Sequence, residues 1–158
     1  MKLPEYPADR ALIYQTDPEF LILPRMRPSG CYFLSIVEAL TAYFKFPFTH
    51  DSVISFYDLE IMDADKDVDN EMFVGDPQDL IDDLIGPGRL KFLGKFDTLR
   101  VCGDDEIEWG CWHKTGNTYN HFTHNNGKGI VLYDPWGPQG SDSVKNGNLI
   151  GKRIARLV

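Results

Sequence analysis

The sequence predicts an α+β domain in which helices come first and an antiparallel sheet follows. Two observations carry that division. Between Cys31 and Gly86, apolar residues recur at helical spacing and are bounded by helix-start and helix-stop residues. After Gly86 the pattern changes to short alternating segments separated by Gly and Asn. A third observation sets the scale. A chain of 158 residues, 42% hydrophobic and 13% aromatic, suits one core, so residues 1–158 read as a single domain.

Residues 1–30 are rich in Pro and aromatic side chains and lack a sustained helical period, which predicts an extended arm that wraps the domain. Leu34, Val37, Leu40 or Thr41, and Phe44 then fall three and four residues apart, predicting a helix over 31–45. Pro28, Ser29 and Gly30 are poor helix-interior residues; Ser29 is a candidate N-cap, and Pro47 stops the helix. A second helix is expected over about 51–59, with Thr49 as its cap, and an acidic loop over 63–71 follows it. Asp76 and Pro77 pair a cap with a first-turn proline, opening a third helix that closes at Gly86. Residues 90–93 and 106–113 read as strands, the second with Ile107, Trp109 and Cys111 on one face. Residues 118–124 and 130–134 flank a strong turn at 125–129 and predict a hairpin. A last hairpin is expected to join Ser143 and Val144 to the segment from Ile150 onward through 145–148.

The formal net charge of −8 argues against a nucleic-acid partner, because neutralising phosphates takes clustered Lys and Arg. It also disfavours docking on anionic lipid. No apolar run has the length of a signal peptide core or a membrane span, so the expectation is no membrane partner and a cytoplasmic location. Three cysteines, Cys31, Cys102 and Cys111, cannot all pair within one chain, and none is spaced as Cys-x-x-Cys.

Cys31 is the residue with the most chemistry. A thiol at a helix N-terminus meets unpaired N–H groups and the positive end of the helix dipole, which favour the thiolate. The same N–H groups suit the oxyanion that forms when a thiolate attacks a carbonyl. Such a nucleophile needs a base, usually His, and a group that orients the base. The predicted hairpin brings both to one open end: His121 near the start of one strand and Asp134 at the end of the next. His124 and His113 compete for the role of base.

The run from Ser29 through Gly30 and Cys31 to Leu40 resembles the nucleophile helix of papain-like cysteine peptidases. The type it resembles is the bacteriocin-processing leader peptidase and its phage-encoded relatives. His121 to His124, and Tyr133 through Asp134, Pro135 and Trp136 to Gly137, look like the His strand and the Asp-Pro strand end of that group. The segment from Tyr14 to Pro18 is similar to one that supplies an oxyanion-hole side chain, and Gln15 is the matching position. The resemblance implies a papain-like fold and a thiol hydrolase, peptidase or amidase, acting on a peptide or protein substrate without metal or organic cofactor. Cys31 would be the nucleophile, His121 the base, Asp134 its orienting partner, and Gln15 an oxyanion donor. One position departs from the pattern: many members carry a small residue after the cysteine, where this chain has Tyr32. A bulky residue there leaves room for a catalytically altered or inactive protein that binds a host or partner protein. A transamidase or deamidase using the same three groups is a further alternative.

Other residues read more plainly. Asp63, Asp65, Asp67 and Asp69 alternate as calcium ligands do, but an EF-hand loop needs Gly at its sixth position and Glu at its twelfth. Those positions hold Val68 and Val74, so a solvated acidic loop is expected. Arg25 and Arg27 are expected to be solvated or salt-bridged, and His50 to lie on the surface. Trp109, Trp112 and Trp136 are candidates for a cleft, though aromatic residues in strands more often pack inside.

Overall fold

The computed structural model describes residues 1–63 and 67–158. A 3₁₀ turn at Pro18–Ile22 precedes five helices and five strands: α1 Met26–Ser29, α2 Cys31–Phe44, α3 His50–Met62, α4 Pro77–Ile85, β1 Leu90–Phe96, β2 Glu106–His113, β3 His121–Asn125, β4 Val131–Tyr133, α5 Asp142–Asn146 and β5 Asn148–Leu157. The architecture is α+β, with α1–α4 in the N-terminal half and one antiparallel sheet in the C-terminal half. The sheet order is β1-β5-β2-β3-β4, so the last strand of the chain lies inside the sheet, between β1 and β2. Among the described residues, no helix is long and apolar enough to cross a membrane.

Helix α2 is the centre of the core. Phe33, Leu34, Ile36, Val37, Ala39 and Leu40 are all buried, which places apolar side chains around most of its circumference. Each large apolar side chain of this kind stabilises the fold by about 1.5–3 kcal/mol when fully buried. The helix packs on β3, and the Trp109 indole of β2 donates to the Ser35 carbonyl at 3.0 Å, tying the sheet to it. One charged side chain of α2, Glu38, is also buried. It accepts from the Tyr6 hydroxyl at 2.8 Å, faces Arg10 at 3.6 Å and meets Nδ1 of His124 at 2.7 Å.

The N-terminal arm is mostly irregular, as expected, but it contains the 3₁₀ turn and the single turn of α1. It crosses the domain as a strap. Leu3 N–H reaches the Asp104 carbonyl at one end, and Gln15 N–H donates to the Pro135 carbonyl at 2.8 Å at the other. The predicted caps of α3 and α4 are present: Thr49 caps α3 through Ser52, and Asp76 accepts from Asp79 N–H at 3.1 Å.

Two local expectations are corrected. Ser29 does not cap α2; it sits in the turn before, where its hydroxyl bonds to the Arg25 and Glu71 carbonyls, and Gly30 is the cap. Ser143 and Val144 are not a strand. Ser141 caps a short helix through Val144 N–H, Asp142 and Lys145 complement its two ends, and Gly147 closes it. A Cβ at Gly147 would lie 2.3 Å from the Ser143 carbonyl oxygen and 2.5 Å from that of His113, so the glycine read as a hairpin turn is needed for close packing.

Candidate active site

Cys31 is the first residue of α2. Gly30 before it makes this start possible: a Cβ there would stand 2.5 Å from the Met26 sulfur and 2.6 Å from the Met26 carbonyl oxygen. The helix ladder begins with Leu34 N–H on the Gly30 carbonyl at 2.9 Å. The N–H groups of Cys31, Tyr32 and Phe33 precede it, at the positive end of the helix. The Cys31 sulfur lies 3.9 Å from the carbonyl oxygen of Asn120, which is joined directly to His121.

His121 opens β3, and Asp134 follows β4. Pairing of these strands, with His124 opposite Tyr133, brings the two side chains to one end of the hairpin. His121 Nε2 lies 2.7 Å from Asp134 Oδ1. The carboxylate also accepts from Trp136 N–H at 3.0 Å and Ser141 N–H at 2.7 Å. It is therefore fixed, and its proton acceptor role selects the ring tautomer with hydrogen on Nε2. Nδ1 is left free of the carboxylate, and the nearby Cys31 thiol is among the groups that raise the pKa of the ring.

Electrostatics follow from these contacts. Burial works against the imidazolium of His121, but hydrogen bonds to Asp134 and Cys31 outweigh it, and the pKa is raised to about 9. Burial likewise works against ionised Asp134, yet His121 and the two backbone donors hold its pKa below the usual carboxylate value. Both shifts favour an ionised His–Asp pair. Cys102, far from this arrangement, has its thiol pushed up to about 12, first by burial and then by Glu108 and Glu106.

Gln15 is buried in the wall of a cavity of about 250 Å³ that also touches Cys31, His121 and Trp136. Its Nε2 donates to the carbonyls of Met26, at 3.1 Å, and Arg27, at 2.7 Å. Both amide hydrogens are thus engaged with the turn that leads into Cys31. A second cavity of about 400 Å³ opens on the other side of Cys31, lined by Tyr32, Met72, Phe73, Phe92 and Phe122 among others. Tyr32 stacks on Phe122, ring centroids 4.1 Å apart, and forms part of this cavity's wall. Met72, also in the wall, holds a left-handed backbone with φ 63°.

Lys95 and Arg153 stand at the same cavity, and sequence reasoning did not find them. They are direct cross-strand partners in β1 and β5. Like charges opposite one another destabilise a sheet unless something anionic approaches. Only the β1–β5 register could reveal the pair, and nothing local in the sequence encodes that register. Asn120 was missed as well, although its position next to His121 was a usable signal.

The other candidates are accounted for elsewhere. His124 is fully buried against Glu38, two turns along α2 from Cys31, and His113 Nδ1 meets Asn120 Oδ1 at 3.1 Å. His50 is half-buried and pairs with Asp17 at 2.9 Å. Arg25 is salt-bridged to Glu71 at 2.8 Å, and Arg27 lies over the Trp136 ring. Trp109 is core, whereas Trp136 lines the smaller cavity. Compared with known proteins, the chain matches no protein-family model, no curated sequence and no solved structure.

Proposed function

We propose that this protein is a thiol hydrolase of the papain-like kind, acting on an amide bond in a peptide or protein. The observation that carries the reading is the 2.7 Å contact between His121 Nε2 and Asp134, with His121 lining the same cavity as Cys31 at the N-terminus of α2. In the proposed cycle, Nδ1 of His121 takes the thiol proton and the Cys31 sulfur attacks the substrate carbonyl. The Cys31 N–H faces the developing oxyanion. His121 returns the proton to the leaving amine, and the sulfur–acyl bond forms as the C–N bond breaks. Water, deprotonated by His121, then releases the acid and restores the thiol.

Gln15 enters this scheme as a second oxyanion donor when the substrate draws its amide from the longer of its two bonds, that to Met26. Tyr32, packed on Phe122 in the wall of the larger cavity, is compatible with a substrate beside the sulfur. Transamidation or deamidation would run through the same thioester and differ in the second nucleophile or in the amide attacked.

Alkylation by iodoacetamide tests the proposal without knowledge of the substrate. Cys31 is expected to react well below pH 8 and to outpace Cys102 by at least about tenfold, a ratio that follows from thiolate fraction. Peptide mapping of the labelled protein separates the two sites. A Cys31 that reacts no faster than an ordinary thiol, together with Cys31→Ala protein that keeps any detected hydrolysis, would sink the idea.

A further inference from the structure

The acidic loop was expected to be solvated, but Asp67 within it is buried. Asp67 is 1% exposed, and Glu60, in the last turn of α3, is 3% exposed. Asp65 lies outside the described residues. One carboxylate oxygen each from Glu60, Asp63, Asp67 and Asp83 gathers within 4.8 Å of the others. Asp67 belongs also to a second group, with Asp76 and Asp79. Among the described residues, no donor reaches Oε2 of Glu60 or either carboxylate oxygen of Asp67.

Buried carboxylates are normally paired, hydrogen-bonded or bound to metal. Here two are buried, and the described metal-ligating side chains gathered around them are further carboxylates. Two things relieve such a cluster: protons or a cation. Burial first, and then the Asp83 carboxyl group, push both Glu60 and Asp67 above the usual carboxylate range.

We propose that Glu60, Asp63, Asp67 and Asp83 form a calcium-type cation site that ties the end of α3 to α4. The donor set is all oxygen, with neither nitrogen nor sulfur, which suits a hard cation. The four oxygens all lie within 4.8 Å of one another, close enough to share one ion; a set of protein carboxylates suits Ca²⁺, whereas Mg²⁺ keeps several waters and takes only one or two carboxylates. Asp83 is exposed and gives the ion access from solvent. The pattern is not an EF-hand. The two positions that break that motif, Val68 and Val74, pair with each other as an isolated bridge and fold the loop back. Gly75 N–H then donates to the Asp67 carbonyl at 2.8 Å.

The site has a consequence for the cavity beside Cys31. The segment from Met72 to Gly75 follows Asp67 and forms one wall of that cavity. A bound cation would hold this wall at its root. The proposal does not depend on what Cys31 does.

Calorimetric titration of the metal-stripped full chain with CaCl₂ alone, and then with MgCl₂, tests it, with melting curves at each endpoint. Saturable binding of one Ca²⁺ per chain and a rise in Tm are expected. The Glu60→Gln, Asp67→Asn double variant is expected to lose that binding while melting at or above the metal-free wild type, because it removes buried repulsion. Absence of Ca²⁺ binding up to ~10 mM, beyond the weak end of natural calcium sites, would overturn the site. Binding retained in the double variant would overturn its location. Mg²⁺ binding as tight as Ca²⁺ binding would overturn the choice of ion.

Discussion

Asp134 receives a hydrogen bond from His121 and two more from backbone N–H groups, so it cannot easily rotate away from the ring. Asp134→Asn keeps the shape but offers an N–H or a weaker acceptor to Nε2, and it removes the charge that steadies the imidazolium. On the proposed mechanism, hydrolysis should fall by roughly 10⁴-fold, the size of loss seen when a triad carboxylate is amidated. The alkylation rate of Cys31 at pH 6 should drop with it. The pH dependence of stability follows from the same contacts. His121 binds its proton more tightly when folded, so its contribution is complete below its ordinary value of 6.5 and is lost as pH rises through about 9. Asp134 behaves oppositely: its contribution is present above the usual 3.8 and is lost as pH falls through its depressed folded pKa. Melting temperature measured against pH should therefore decline between about pH 6.5 and 9 in the wild type. That alkaline decline should be smaller in His121→Gln.

At the scale of elements, the start of α2 and the edge of the sheet do different work. The helix start was legible, because Gly30, Cys31 and an apolar stripe lie within a dozen residues and local sterics decide them. Strand ends were less so: β3 begins at His121 rather than three residues earlier, and β1 continues to Phe96. The β1–β5 pair brings Lys95 opposite Arg153 at the larger cavity, so an anion should be drawn toward Cys31. Iodoacetate, which is charged, should gain on neutral iodoacetamide at Cys31 by a few-fold at low salt, and added salt should erase the gain. Lys95→Gln with Arg153→Gln should lower the iodoacetate rate while leaving iodoacetamide nearly unchanged. An unchanged ratio of the two rates would show that these cations do not act on the thiol.

Across the whole molecule, the N-terminal arm links distant parts. Tyr6 and Arg10 converge with His124 on the buried Glu38 of α2, and the arm then runs on to bond Pro135 through Gln15. Glu38→Ala strips the partner from a buried His and an Arg at once. A loss of about 3–5 kcal/mol is expected, typical of breaking a buried pair from one side. Urea unfolding measures it, and Tyr6→Phe should cost only about 1 kcal/mol by comparison. Gln15 would then be loosened at a distance from the mutation, because the arm that carries it has lost its anchor.

Cys31 at a helix start, the caps at Thr49 and Asp76, the order of helices before strands and the closeness of His121 to Asp134 were all determined by the sequence itself. Each depends on residues a few positions apart or on one short hairpin, where backbone geometry leaves little choice. Tertiary structure decided the rest. It set β5 between β1 and β2, and so made a cationic pair of Lys95 and Arg153. It sent His124 to Glu38 and left His121 for the thiol. It also buried Asp67 of an acidic loop that looked solvated and gathered it with Glu60 of α3 and Asp83 of α4. These outcomes depend on contacts between residues far apart in the chain, and burial of the shared core around α2, not any local preference, selects them.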